Sequence, residues 1–92
     1  MPKLSAEAIE ARLASLEGWR RQGDAITKTF VFPSFTDAMA FVRRLADQAE
    51  AADHHPDILI QHKRVTLSFW THTEGGVTDK DVDGARTADE CV

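Results

Sequence analysis

The stretch SFTDAMAFVRRLADQAEAADHHP, residues 34–56, decides the fold. It opens with Ser34-Phe35-Thr36-Asp37, the Ser-x-x-acid spacing of a helix start. From there to about Ala52 the apolar residues Phe35, Ala38, Met39, Val42, Leu45, Ala46 and Ala49 recur at helical spacing, which predicts one wide apolar face. Arg43, Arg44, Asp47, Gln48 and Glu50 fall largely on the solvated side. Pro56 disfavours helical backbone at His55, so a boundary falls at Asp53-His54-His55-Pro56.

Upstream, Ala25 to Phe32 alternates, with Ile26, Lys28, Phe30 and Phe32 on one side and Thr27, Thr29 and Val31 on the other. It is rich in β-branched and aromatic residues and reads as a strand. Trp19 to Arg21 reads as a short strand joined to it by a turn at Gln22-Gly23-Asp24, making a hairpin. Further back, Ser5 fits an N-cap, with Leu4 and Ile9 as a hydrophobic staple. Ile9, Leu13 and Leu16 share a stripe, and Gly18 is a natural stop, so a helix is expected over roughly Ala6 to Glu17.

Downstream, Ile58 to His62 reads as a strand, Lys63-Arg64 as a tight turn, and Val65 to Thr71 as the next strand. Period two points Val65, Leu67, Phe69 and Thr71 toward the helices, and Thr66, Ser68, Trp70 and His72 away. Thr73 to Gly76 is a loop, and Thr78-Asp79-Lys80-Asp81 caps a final helix that runs to the end of the chain. That helix is thinly apolar, and Gly84 weakens it by about 1 kcal/mol relative to Ala. The sum is α-β-β-α-β-β-α: one α+β domain over residues 1–92, with a four-stranded antiparallel sheet and helices packed on one face.

Composition bounds the function. At 92 residues the core is small, which makes self-association plausible. A net charge of -4 argues against a protein that binds nucleic acid by neutralising phosphates. No apolar run approaches the ~20 residues that span a bilayer, and no signal-peptide pattern opens the chain. The single Cys91 has no internal partner. A reducing, cytoplasmic setting is therefore expected.

All four histidines fall between His54 and His72. An imidazole titrates near ~6.5, so it can give or take a proton at neutral pH and reset each turnover. Taken singly, each has a structural reading: a helix cap, a solvated side chain, a strand-edge residue. Together, His54, His55 and His72 with Glu50, Asp53 and Asp81 nearby favour proton-transfer chemistry. Three His could hold Zn²⁺, but adjacent imidazoles on extended backbone diverge, and His-x₃-His and Cys-x₂-Cys spacings are absent. Cys91 and Ser68 lack the surroundings of a nucleophile, and Gly75-Gly76 reads as a turn. Trp70 shares a face with His72; it could stack on a flat heterocycle or pack against a partner subunit.

With these residues assembled, the sequence resembles the pterin-4a-carbinolamine dehydratases from about Trp19 to Asp81. The resemblance rests on Gly18-Trp19, the strand from Asp24 to Phe30, Phe35 with the helix through Leu45, and Glu50-x-x-Asp53-His54-His55-Pro56. It continues through Val65-Thr66-Leu67, Thr71-His72 and Gly76-Val77-Thr78-x-x-Asp81, with His72 seventeen residues after His55. It implies the fold read above and removal of water from a 4a-hydroxytetrahydropterin to give the quinonoid dihydropterin, with no metal or other cofactor. By the same resemblance His54 and His72 are the acid/base candidates, and His55 binds and orients the pterin. Glu50 and Asp81 fix imidazole positions, Asp53 belongs to the same acidic set, Pro56 shapes the loop, and Trp19 lines the pocket; Trp70 departs from the animal members, which carry a small residue there, so it would alter the pocket wall. Family members assemble as dimers or tetramers; a homodimer is expected here, because the final helix lacks a bulky apolar face. An aromatic amino-acid hydroxylase is the partner that this chemistry would serve. Two rivals stand beside the enzyme: a dimeric regulatory or binding module, as in animal members that act with homeodomain transcription factors, and a pterin binder without activity.

Overall fold

The computed structural model describes residues 2–92. Ser5 accepts the Ala8 N–H and starts helix α1 (Ala6–Leu13). Strands β1 (Arg20–Gln22) and β2 (Ala25–Val31) form the first hairpin, followed by the long helix α2 (Phe35–Ala52). Strands β3 (Asp57–Gln61) and β4 (Arg64–Phe69) form the second, followed by a 3₁₀ turn (His72–Glu74) and helix α3 (Asp79–Glu90). The expected α-β-β-α-β-β-α order holds.

The sheet is antiparallel throughout, in the order β1-β2-β4-β3. α2 carries the chain between the hairpins, so β4 returns beside β2 at the centre and β3 is left at the edge. Alternation sets the faces as read. Ile26 and Phe30 on β2 and Val65, Leu67 and Phe69 on β4 are buried with residues from all three helices. On the opposite face Thr29 and Thr66 hydrogen-bond across the strands at 2.9 Å. Phe41 forms the hub of an aromatic cluster, with ring centroids 4.8 Å from Phe30 and 4.9 Å from Phe32. Truncating such a buried Phe costs about 3–5 kcal/mol.

Several boundaries differ from the sequence reading; β3 is Asp57–Gln61, and α3 ends at Glu90, short of the end of the chain. α1 stops at Leu13, not Glu17. Beyond it the chain tightens into successive turns, with Ser15 N–H on Arg12 C=O and Leu16 N–H on Leu13 C=O. This wrapping lets both Leu16 and Trp19 reach the core. β1 begins at Arg20, one residue late. The β3–β4 turn is His62-Lys63, because His62 takes the left-handed backbone (φ 56°) that a two-residue hairpin needs. β4 then ends at Phe69, and the chain turns before His72.

The buried stripe of α2 is Ala38, Phe41, Leu45 and Ala49. Phe35 and Met39, expected inside, are 50% and 38% exposed. The apolar residues span two adjoining stripes, and periodicity cannot tell which of them meets the sheet.

α3 compensates for its thin apolar face. The Asp89 carboxylate accepts from Lys28 Nζ at 2.8 Å and from Trp19 Nε1 at 3.1 Å. Arg44 Nε donates to the Cys91 carbonyl at 2.7 Å, so this arginine clasps the last turn rather than standing free in solvent. Gly84 lets the helix backbone approach Phe69 so closely that an added Cβ would lie 2.4 Å from the ring.

Candidate active site

The helix end that delivers the histidines has a specific geometry. Asp53 adopts the left-handed conformation (φ 51°). Its N–H bonds the Glu50 carbonyl, and the His54 N–H bonds the Ala49 carbonyl. This pair of bonds is a Schellman motif, which ends α2 and turns His54 back toward its last turns. Asp or Asn tolerates this backbone better than most residues. Asp53 therefore acts here through its main chain; its exposed side chain makes no hydrogen bond among the described residues. Pro56, half-buried, then starts the run into β3.

The two adjacent imidazoles do diverge. His54 Nε2 meets Asp81 Oδ1 at 2.5 Å, and His55 Nε2 meets Glu50 Oε1 at 2.5 Å. The His55–Glu50 pair is exposed, where ion pairs contribute ~0–1 kcal/mol. The His54–Asp81 pair is enclosed.

Asp81 is wholly buried, at 0% exposure. A buried carboxylate must have its oxygens satisfied. Oδ2 accepts from the Thr78 N–H and the Thr71 hydroxyl, each at 2.8 Å, and Oδ1 faces His54. The Thr78 contact is one half of a capping box that opens α3. With both oxygens acting as acceptors, His54 carries its proton on Nε2 and leaves Nδ1 as the free ring nitrogen.

His54 also forms part of the wall of a cavity of ≈ 450 Å³ between α2, α3 and β4. Leu45, Ala49, Phe69 and Gly84 supply apolar lining; Gln48, Lys80, Asp83 and Thr87 supply polar groups. The Phe69 ring lies nearly parallel to the His54 ring, with centroids 6.2 Å apart. His55 and His72 do not line this cavity.

His72 is exposed in the 3₁₀ turn, and its ring packs on Trp70 with centroids 4.0 Å apart. Trp70 and His72 are thus neighbours, but through the turn that follows β4 and not by strand alternation, since β4 ends at Phe69. Trp19 stands apart. It is 6% exposed, packs 5.9 Å from Phe69 and 6.1 Å from Phe30, and spends its indole N–H on Asp89. It reaches the site only through Phe69, as a core residue.

Sequence reasoning missed the two threonines that complete the Asp81 network. One signal was available: Thr71 is the polar residue at an inward position of a strand whose other inward residues are Val65, Leu67 and Phe69. Among the described residues no cluster of three or more His, Cys, Asp or Glu side chains is arranged to hold a metal ion.

The chain is similar to known proteins over nearly its whole length. The family model described as "Pterin 4 alpha carbinolamine dehydratase" matches residues 2–91. A relative from Roseiflexus sp. (strain RS-1), provisionally named pterin-4-alpha-carbinolamine dehydratase, is 56% identical over 90 residues, covering 98% of this chain and 97% of its own. One from Thermomicrobium roseum, named in the same way, is 49% identical over 86 residues, covering 94% and 92%. The crystal structure titled transcriptional coactivator/pterin dehydratase from Brucella melitensis superposes with a TM-score of 0.94 at 34% identity, covering 97% of each chain. A pterin dehydratase-like protein described as a RuBisCO assembly factor in the alpha-carboxysome matches with a TM-score of 0.71 at 26% identity, covering 82% and 89%.

Proposed function

We propose that this chain, which belongs to the pterin 4 alpha carbinolamine dehydratase family, removes water from a 4a-hydroxytetrahydropterin to give the quinonoid dihydropterin. One observation carries the reading. His54 is fixed through Nε2 on a buried carboxylate while its Nδ1 is left free, beside a cavity. An imidazole held in one tautomer is what a proton-transfer step requires.

The chemistry needs two proton transfers. Hydroxide leaves poorly, so an acid protonates the 4a-oxygen as the C–O bond breaks. The electron pair that replaces that bond comes from a ring nitrogen, whose proton goes to a base. One proton is given, one is taken, and water departs. We assign the two transfers to His54 and His72, and pterin binding and orientation to His55 with Glu50. Each positioned group contributes typically ~10²–10⁴-fold. Trp70, packed on His72, offers an apolar wall for a flat ring.

A homodimer acting in the cytoplasm fits this reading. No helix among the described residues is long and apolar enough to cross a membrane. Edge strand β3 exposes Ile58, Leu59 and Ile60, and α2 exposes Phe35 and Met39, a surface suited to self-association. The same surface supports a second reading, a binding or regulatory module, in keeping with the relative described as an assembly factor. A hydroxylase that produces the carbinolamine is the natural upstream partner.

The deciding experiment generates the carbinolamine in situ and follows its conversion to the quinonoid dihydropterin with and without protein. Acceleration at micromolar protein is expected, and His54→Ala with His72→Ala together should lose far more than either alone. Absence of acceleration sinks the enzyme and leaves the binding module. Near wild-type activity in the double variant rejects the assignment of the two histidines.

A further inference from the structure

We infer that Thr71 is a positioning residue that sets His72 relative to His54. The Asp81 carboxylate only accepts hydrogen bonds, so the Thr71 hydroxyl at 2.8 Å from Oδ2 must donate. Its single proton is thereby used. The Thr78 hydroxyl, 2.8 Å from Thr71 Oγ1, is then the donor of that contact, and Thr78 Oγ1 in turn accepts the Lys80 N–H. The result is a one-way chain from the first turn of α3 through Thr78 and Thr71 to Asp81, whose other oxygen holds His54. Chains of this kind strengthen each member by mutual polarisation.

The main chain of the same residue governs His72. Thr71 N–H bonds the Gly76 carbonyl at 2.9 Å. The Thr71 carbonyl accepts from Glu74 at 3.1 Å and from Gly75 at 2.9 Å, which closes the turn that carries His72. The His72 side chain makes no hydrogen bond among the described residues, and its ring packs on Trp70. Thr71 is therefore the link between the turn of His72 and the carboxylate of His54. It is buried, so its part is to place other groups rather than to meet substrate.

The kinetic consequence rests on the dehydratase reading; the spectroscopic one does not. Thr71→Val keeps the shape and removes the hydroxyl, and Thr71→Ser restores it. In ring-detected NMR of ¹⁵N-histidine protein, Thr71→Val should shift the signals of both His54 and His72, and Thr71→Ser should return both toward wild type. In the dehydration assay kcat should fall on the order of 10- to 100-fold in Thr71→Val, the scale of a catalytic group displaced by about 1 Å. KM should stay within about threefold, and Ser should recover most of kcat. A Thr71→Val protein whose His72 signals are unmoved, or a serine variant as impaired as valine, overturns the inference. If Thr71→Val does not fold, the wild-type protein decides. The Thr71 hydroxyl proton should exchange slowly and be visible as a separate resonance; free exchange with water overturns the link. If wild type shows no dehydration at all, the enzyme reading falls while the ring signals still test the positioning.

Discussion

Gly84→Ala sets two known effects against each other. Helix propensity favours Ala by about 1 kcal/mol in a helix interior. Against that, the new Cβ would sit 2.4 Å from Phe69 Cε1 and 2.9 Å from both Cδ1 and Cζ. Carbon atoms rest at about 3.5–4.0 Å, so the ring or the helix must move by roughly 1 Å. The ring has little room, with Trp19 at 5.9 Å on one side and His54 at 6.2 Å on another. Overpacking costs about 1–3 kcal/mol, and a contact this short belongs at the upper end. The net expectation is a loss of about 2 kcal/mol, seen in urea unfolding as a lower midpoint with unchanged slope. In a domain of 92 residues that corresponds to roughly 8–16 °C in Tm. The control is the same change in a Phe69→Leu background, where the ring is gone and Gly84→Ala should become neutral or stabilising. Because Phe69 also abuts His54, the single variant should lose dehydration activity at temperatures where it is still folded. A Gly84→Ala protein more stable than wild type would show that helix propensity governs this position and that the close approach does not.

Asp81→Asn should fold at a cost of about 1–3 kcal/mol. Its carboxamide NH₂ would face His54 and force the proton onto Nδ1, so dehydration should fall by about 10²-fold or more; full activity would reject the tautomer argument. Asp89→Ala leaves the Lys28 amine and the Trp19 indole N–H without their shared acceptor, and chemical denaturation should register a loss of about 1–3 kcal/mol. For Cys91, burial raises the thiol above its ordinary 9.0, with Arg44 opposing and Glu90 adding to the rise. The folded state then holds this proton more tightly than the unfolded chain does. The stability so gained is fully present below the unfolded value and is lost as pH rises through the folded one. Urea midpoints from neutral pH to about pH 10 should show that decline, and Cys91→Ala should flatten it.

Much of the fold was legible because alternation and helical spacing are local signals. Val65, Leu67 and Phe69 face inward as period two required, and Ser34 and Thr78 cap the helices as their spacing required. The failures are tertiary. Phe41 is the largest fully buried side chain of α2, yet it stands beside Phe35, Met39 and Val42 in a helix apolar over two stripes. Gly84 read as a weak point because propensity scales measure an isolated helix; in the fold its missing side chain is what admits Phe69. Trp19 read as pocket lining, but its indole partner Asp89 lies 70 positions away, beyond any local signal. In the site, the Thr-x-x-Asp spacing announced a cap. It could not announce that the other carboxylate oxygen would hold His54, since that pairing depends on the end of α2 meeting the start of α3.

That meeting has a dynamic consequence. His54 is anchored by a residue of α3, and α3 is fastened to the rest of the protein by only three small or medium apolar residues, Val82, Ala85 and Ala88, and by polar clasps at Asp89 and at the Cys91 carbonyl. The sheet holds itself together through β2 and β4 without it. An opening that lifts α3 away would release the His54 imidazole while leaving the sheet intact. Native-state hydrogen exchange should then find the amides of α3 and of the His54 segment opening together, at a lower free energy than those of β2 and β4. Weakening a clasp at the far end of α3 would switch the histidine off by raising the population of that open form, with no change to any group near the site.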